Sequence, residues 1–276
     1  MMMVVAVVWA LPATAFERVA DPAEFDYLVP LDEPQAFAVQ EMYDLETVIA
    51  INRHVAELAR RNPGNVKAWE VVCQWSYLWW RQLKDPEQKA RPMKLGRTAA
   101  ARLKRLAPDT PAAIVWPGLM LSLEVLTKGV MNSLQMAPAI RAQYERARKE
   151  APDYFHGLGY WALGRLYYKV PGFPVSFGNV EKSEALLETA LERDPKFSII
   201  ALFLAETKAM LGKMDQFYDL LERIPQMGYA TYFAKYAQWP VMAEADALRE
   251  VVEAGDYDRY SWDPLLVPYP PPPHDW

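Results

Sequence analysis

The segment Tyr160-Trp161-Ala162-Leu163-Gly164-Arg165-Leu166-Tyr167, followed by Ser183, Leu187, Ala190 and then Pro195, decides the fold. Its first part sets an aromatic, a leucine, a glycine and a second aromatic at helical spacing. The second part gives the next helix a small, a large and a small residue on one face, and the proline closes the unit. A residue as small as Gly164 lets two antiparallel helices approach closely. Outward from this unit, similar helix ends recur as Arg61-Asn62-Pro63, Leu106-Ala107-Pro108-Asp109, Glu150-Ala151-Pro152-Asp153 and Arg193-Asp194-Pro195-Lys196. These prolines lie 45, 44 and 43 residues apart, before a shorter step of 30 to Pro225. Trp69, Trp116 and Tyr160 repeat at 47 and 44 residues. A fixed period of this size marks stacked helical units.

The rest of the chain reads as helix pairs: 66–83 with 92–106, 112–127 with 137–150, 155–168 with 180–193, and 197–211 with 214–223. An apolar stripe of Tyr43, Val48, Ile51, Val55 and Leu58 predicts a helix before the first pair. A further helix is predicted over 229–237, and a last one is framed by Pro240 and Gly255. No run alternates as a strand would, so the fold class is all-α. The chain divides into an apolar start at 1–15, an extended N-terminal arm at 16–39, a repeat domain at 40–255 and a Pro/aromatic tail at 256–276.

The third pair strongly resembles a tetratricopeptide repeat, with Tyr160, Leu163, Gly164, Tyr167, Ala190 and Pro195 in its pattern. Trp69, with Val72 and Cys73 behind it, repeats the pattern more loosely, as do Trp116, Leu119 and Tyr144. The resemblance implies a right-handed solenoid of helical hairpins with elongated repeats of about 44 residues, against about 34 for an ordinary unit. The surplus is expected between the helices of each pair, at 84–93, 128–136 and 169–179, and equivalent loops of stacked repeats share an edge. Met131, Met136, Pro171, Phe173 and Phe177 on that edge are the candidate binding residues. They either line a pocket or partner site, or fold back to plug the repeat's own groove.

The stretch Leu163-Gly164-Arg165-Leu166-Tyr167-Tyr168, Pro171-Gly172-Phe173-Pro174 and Gly178-Asn179-Val180-Glu181-Lys182-Ser183, with the signal-like start, resembles the T component of TRAP transporters. That family implies a periplasmic accessory of a solute uptake system. It pairs with a periplasmic solute-binding protein and can form trimers with an internal channel suited to apolar ligands. The chain differs in lacking a lipidation cysteine and in its proline-ended tail. The alternative is a general protein–protein interaction scaffold of the cell envelope.

Composition bounds the chemistry. The net charge of −5 argues against a nucleic-acid partner. Nine basic residues fall between Arg81 and Arg105 against Asp85 and Glu87 alone, which reads as a solvated helix face or as a docking patch for an acidic partner. The apolar run Met1–Pro12, with Ala13-Thr14-Ala15 behind it, predicts an export signal cleaved after Ala15, the alternative being a buried N-terminal segment. Later stretches are too short to cross a bilayer, so no transmembrane span is expected in the mature chain. Cys73 stands alone and excludes an internal disulfide. His54, His156 and His274 share no metal-ligand spacing, and neither a GxSxG elbow nor a phosphate-binding loop is present. No catalytic, metal or cofactor residue is assigned, and a binding protein is expected, not an enzyme.

Overall fold

The computed structural model describes residues 45–83, 85–126, 130–227 and 232–260. The expected export signal and N-terminal arm, Tyr43 and the tail from 261 onward lie outside the described residues. The described residues form ten α-helices and one 3-10 turn, and no strand occurs among them. The helices are α1 (Leu45–Arg61), α2 (Val66–Gln82), α3 (Pro86–Leu106), α4 (Pro111–Leu126), α5 (Val130–Glu150), α6 (Tyr154–Lys169), α7 (Val180–Arg193), α8 (Ser198–Met210), α9 (Met214–Arg223) and α10 (Tyr232–Glu253).

Each helix from α1 to α9 packs most extensively against its neighbours in chain order, as stacked hairpins require. The first helices of successive pairs, α2, α4, α6 and α8, also touch one another in turn and form the tighter inner row. This is an all-α solenoid of helical hairpins. Local signals start its helices: Asn65 Oδ1 accepts the Ala68 N–H at 3.1 Å, Asp85 Oδ1 the Glu87 N–H at 2.9 Å, and Asn179 Oδ1 the Lys182 N–H at 2.6 Å.

The signature residues do the packing that the pattern implies. Trp69, Trp116, Leu163, Tyr167 and Ala190 are buried, Tyr160 is half-buried, and Pro195 lies exposed in the turn before α8. A Cβ on Gly164 would sit 2.8 Å from Leu187 Cγ, so the glycine sets how closely α6 meets α7. Helix α8 is apolar through Ile199–Ala205 and buried from Ser198 to Lys208, the environment an all-round apolar helix needs.

Three boundaries differ from the sequence expectation. Helix α3 starts at Pro86 and α5 at Val130, so each runs 21 residues and carries a proline, Pro92 or Pro138, inside. Both prolines satisfy the rule for a first helical position, but Asp85-Pro86 supplies that start earlier for α3. The surplus in the first two pairs is therefore helix rather than loop, and the edge of three loops reduces to one. Pro240 likewise falls within α10, which merges the two helices expected there.

Candidate functional site

The loop of residues 170–179 joins α6 to α7 and is pinned from within. The Gly178 N–H donates to the Pro171 carbonyl at 2.9 Å, and the Asn179 N–H to that of Tyr167 at 2.9 Å. The Val175 and Ser176 N–H groups both donate to the Gly172 carbonyl. Phe177 is half-buried, its ring edge-on to Tyr167 at 5.7 Å with the Arg141 guanidinium 5.1 Å above it. Packing holds the base of the loop, and its tip projects. Phe173 is 95% exposed and Val175 66%, an apolar knob at the loop tip.

The five candidate residues therefore separate. Pro171 and Phe177 build the scaffold of the loop, Phe173 presents itself to solvent, and Met136 packs half-buried against the core. Met131 lies in the first turn of α5, and its side chain is outside what is described. Val175 belongs to the site and was not singled out in the sequence. Its signal was exposure of a branched apolar residue, which periodicity does not report.

Behind the loop, α6 carries a cation–aromatic ladder. Arg148 and Arg193 lie over Tyr160 at 5.9 and 5.1 Å, while Arg141 and Lys182 lie over Tyr167 at 5.6 and 5.5 Å. The two repeat aromatics thus tie α5 and α7 to α6 through their own basic side chains. Glu145 accepts from Arg141 at 2.8 Å, and this hydrogen bond, the largest effect, raises the guanidinium pKa further against partial desolvation.

The turn that opens α6 is strained. Phe155, His156 and Gly157 have φ of 52°, 53° and 67°, a left-handed turn costly for the two that are not glycine. Side chains hold it in place. Phe155 is buried edge-on to Trp116 at 5.3 Å, and His156 stacks on Phe197 at 4.1 Å with Nδ1 2.5 Å from Asp194 Oδ2. Trp116 Nε1 donates to the Tyr154 hydroxyl at 3.0 Å, and that hydroxyl donates to Glu70, linking α2, α4 and α6. These contacts serve packing.

On the inner row, Glu206 of α8 is fully buried. It is paired with Arg165 of α6, with Lys169 Nζ at 3.9 Å, and accepts the Tyr257 hydroxyl at 2.6 Å. Tyr168 joins through its hydroxyl to Tyr257. Burial first, then the Glu206 charge, drives both tyrosine hydroxyls well above their ordinary pKa, so they stay protonated donors.

The basic run places Lys94, Arg97 and Arg105 of α3 around a cleft of about 580 Å³ floored by Ala90, Met93 and Ala101, with Arg97 2.5 Å from Glu124 of α4. Cys73 is fully buried, its Sγ 3.7 Å from the Gly96 carbonyl, and burial followed by the nearby Glu70 pushes the thiol far up. Among the described residues, no group of three His, Cys, Asp or Glu is placed to hold a metal ion, and no helix is long and apolar enough to cross a membrane.

No family model and no curated protein matches the chain. Among solved structures, a thermophilic TPR protein from Thermus thermophilus is similar at 19% identity and a TM-score of 0.47, over 71% of this chain and 88% of that one.

Proposed function

We propose that this chain is a protein–protein interaction scaffold, and that the 170–179 loop is where it meets a partner. The observation that carries the reading is Phe173, an almost fully exposed aromatic at the tip of a loop whose base is fixed by Phe177, Tyr167 and Arg141. A rigid apolar anchor binds with little conformational cost, and such residues dominate interface energies. A photo-crosslinking phenylalanine analogue at position 173 is expected to join one protein species in source cells. The same analogue at exposed Lys196, in the turn before α8, is expected to give none. Equal or absent adducts at both positions would defeat the loop reading.

The finer reading is an exported accessory of a TRAP-type uptake system, periplasmic after cleavage behind Ala15, that engages a periplasmic solute-binding protein and assembles as a trimer. Its support is the Leu163–Ser183 stretch and the Met1–Ala15 start. Genes for TRAP membrane subunits beside this one, and a solute-binding protein as the Phe173 adduct, are the expected results. A cytoplasmic adduct would leave the general scaffold standing and remove the transport role.

A further inference from the structure

The inner row ends in a pocket that the chain fills itself. Beyond α10 the backbone turns at Gly255, where φ is +75° and a Cβ would meet nothing within 4 Å, and residues 256–260 run back over α6 and α8. Tyr257 inserts its hydroxyl against Glu206 and Tyr168, and Lys169 Nζ donates to the Arg259 carbonyl at 2.5 Å. Arg259 lies 5.9 Å over the Tyr168 ring.

These contacts use groups that an extended segment with one tyrosine offers: a phenol hydroxyl and a main-chain carbonyl two residues on. The receiving side is different in kind. Glu206 is a fully buried carboxylate facing two cations, Arg165 and Lys169, an arrangement that adds little to stability over an apolar core of the same volume. It does fix donors and acceptors in advance for whatever segment enters. The segment now in place carries Asp256, Asp258 and Arg259, a net negative charge near a pocket in which Arg165 and Lys169 outnumber Glu206. Its outer side is in solvent at Asp256, Asp258 and Tyr260. A glycine pivot, polar contacts on one side and water on the other describe a segment that can leave.

We propose that Arg165, Tyr168, Lys169 and Glu206 form a binding site for an extended, acidic, tyrosine-bearing segment of a partner protein, and that residues 254–260 occupy it in cis until displaced. The inference uses a face other than the 170–179 loop, so a Phe173→Asp chain measured in parallel separates the two readings.

The probe is a labelled peptide, Ala-Gly-Asp-Tyr-Asp-Arg-Tyr, titrated into the full-length chain and its Tyr257→Ala and Tyr257→Phe variants. The Tyr257→Ala chain is expected to bind the peptide at least about tenfold more tightly than wild type, and a peptide with Phe for its first Tyr is expected to lose most of that gain. Tyr257→Phe keeps the ring and is expected to bind at an intermediate level. The proposal is overturned if both variants stay folded and take up no peptide at about 1 mM. It is equally overturned if both variants unfold, since the segment is then a structural cap. Concentration-dependent dimers without peptide uptake would overturn it in favour of exchange between two copies.

Discussion

Glycine carries two different constraints on α6, and single methyl groups expose them. A Cβ on Gly164 would lie 2.8 Å from Leu187 Cγ and 3.3 Å from the Ser183 carbonyl oxygen, so the buried leucine must shift to admit it. Gly164→Ala is therefore expected to cost about 1 kcal/mol in urea unfolding. On Gly159 the same atom would overlap the backbone of Arg148 and Ala147, which no rotamer relieves. Gly159→Ala is expected to cost about 3 kcal/mol, against a helix-propensity gain of about 1 kcal/mol. Equal losses at the two sites would refute the close approach of α5 and α6. Gly164 was legible in the sequence because Leu163 and Tyr167 frame it in a repeating pattern. Gly159 was not, since next to Gly157 it reads as a helix entry, and only the neighbouring helix reveals what it permits. Cys73 is legible as a small buried residue; with its thiol pKa pushed far up, it is expected to resist iodoacetamide in the folded chain and to react in urea.

The elements differ most from their sequence signals where proline has two meanings. A proline at the start of a helix and one inside it carry the same letter, and Pro92 was read as the start of a helix that begins at Pro86. The result was three predicted loops in place of one, and among the candidate residues whose side chains are described only Phe173 is exposed. The remaining loop divides its two phenylalanines by role. Phe173→Asp is expected to shift stability by no more than about 0.5 kcal/mol, because the side chain touches solvent. Phe177→Asp strips a ring from Tyr167 and places a second carboxylate beside the Arg141–Glu145 pair, and a loss of about 2 kcal/mol is expected in the same melts. A second junction, between α7 and α8, is electrostatic. Lys208 donates to Glu184 at 2.5 Å and to Glu188 at 2.6 Å, while Lys213 donates to Glu184 at 2.6 Å. Desolvation raises the Glu184 pKa, yet the two lysine hydrogen bonds outweigh it and hold the group below the ordinary carboxylate value. A depressed folded-state pKa adds stability above the unfolded value and loses it as pH falls through the folded one. Glu184→Gln is expected to cost about 2 kcal/mol at pH 7 and to match wild type once pH drops well below 4. A gap that persists in acid would show that the charge is not what binds the junction.

For the whole molecule, proline spacing carried the count of hairpins, while closure at the C-terminal end stayed hidden. A solenoid needs a terminal unit with a polar outer face, because each hairpin leaves one apolar flank for its neighbour. Here α8 has no water-facing side: α7 and α9 flank it, α6 lies beneath, and α10 covers what is left. Among the described side chains of α10, Val241, Glu244, Ala245 and Leu248 are buried. Val241 and Leu248 alone contribute about 2 kcal/mol each on burial. These two side chains alone are a sizeable part of the roughly 5–15 kcal/mol that holds a domain folded. A chain ending at Met227 would expose the face of α8 that α10 covers. It is expected to elute as aggregates by size exclusion with light scattering, whereas the full chain keeps slow amide exchange across α8. A monomeric truncated chain with α8 still protected would mean that α10 is an appendage, and that the solenoid closes at α9.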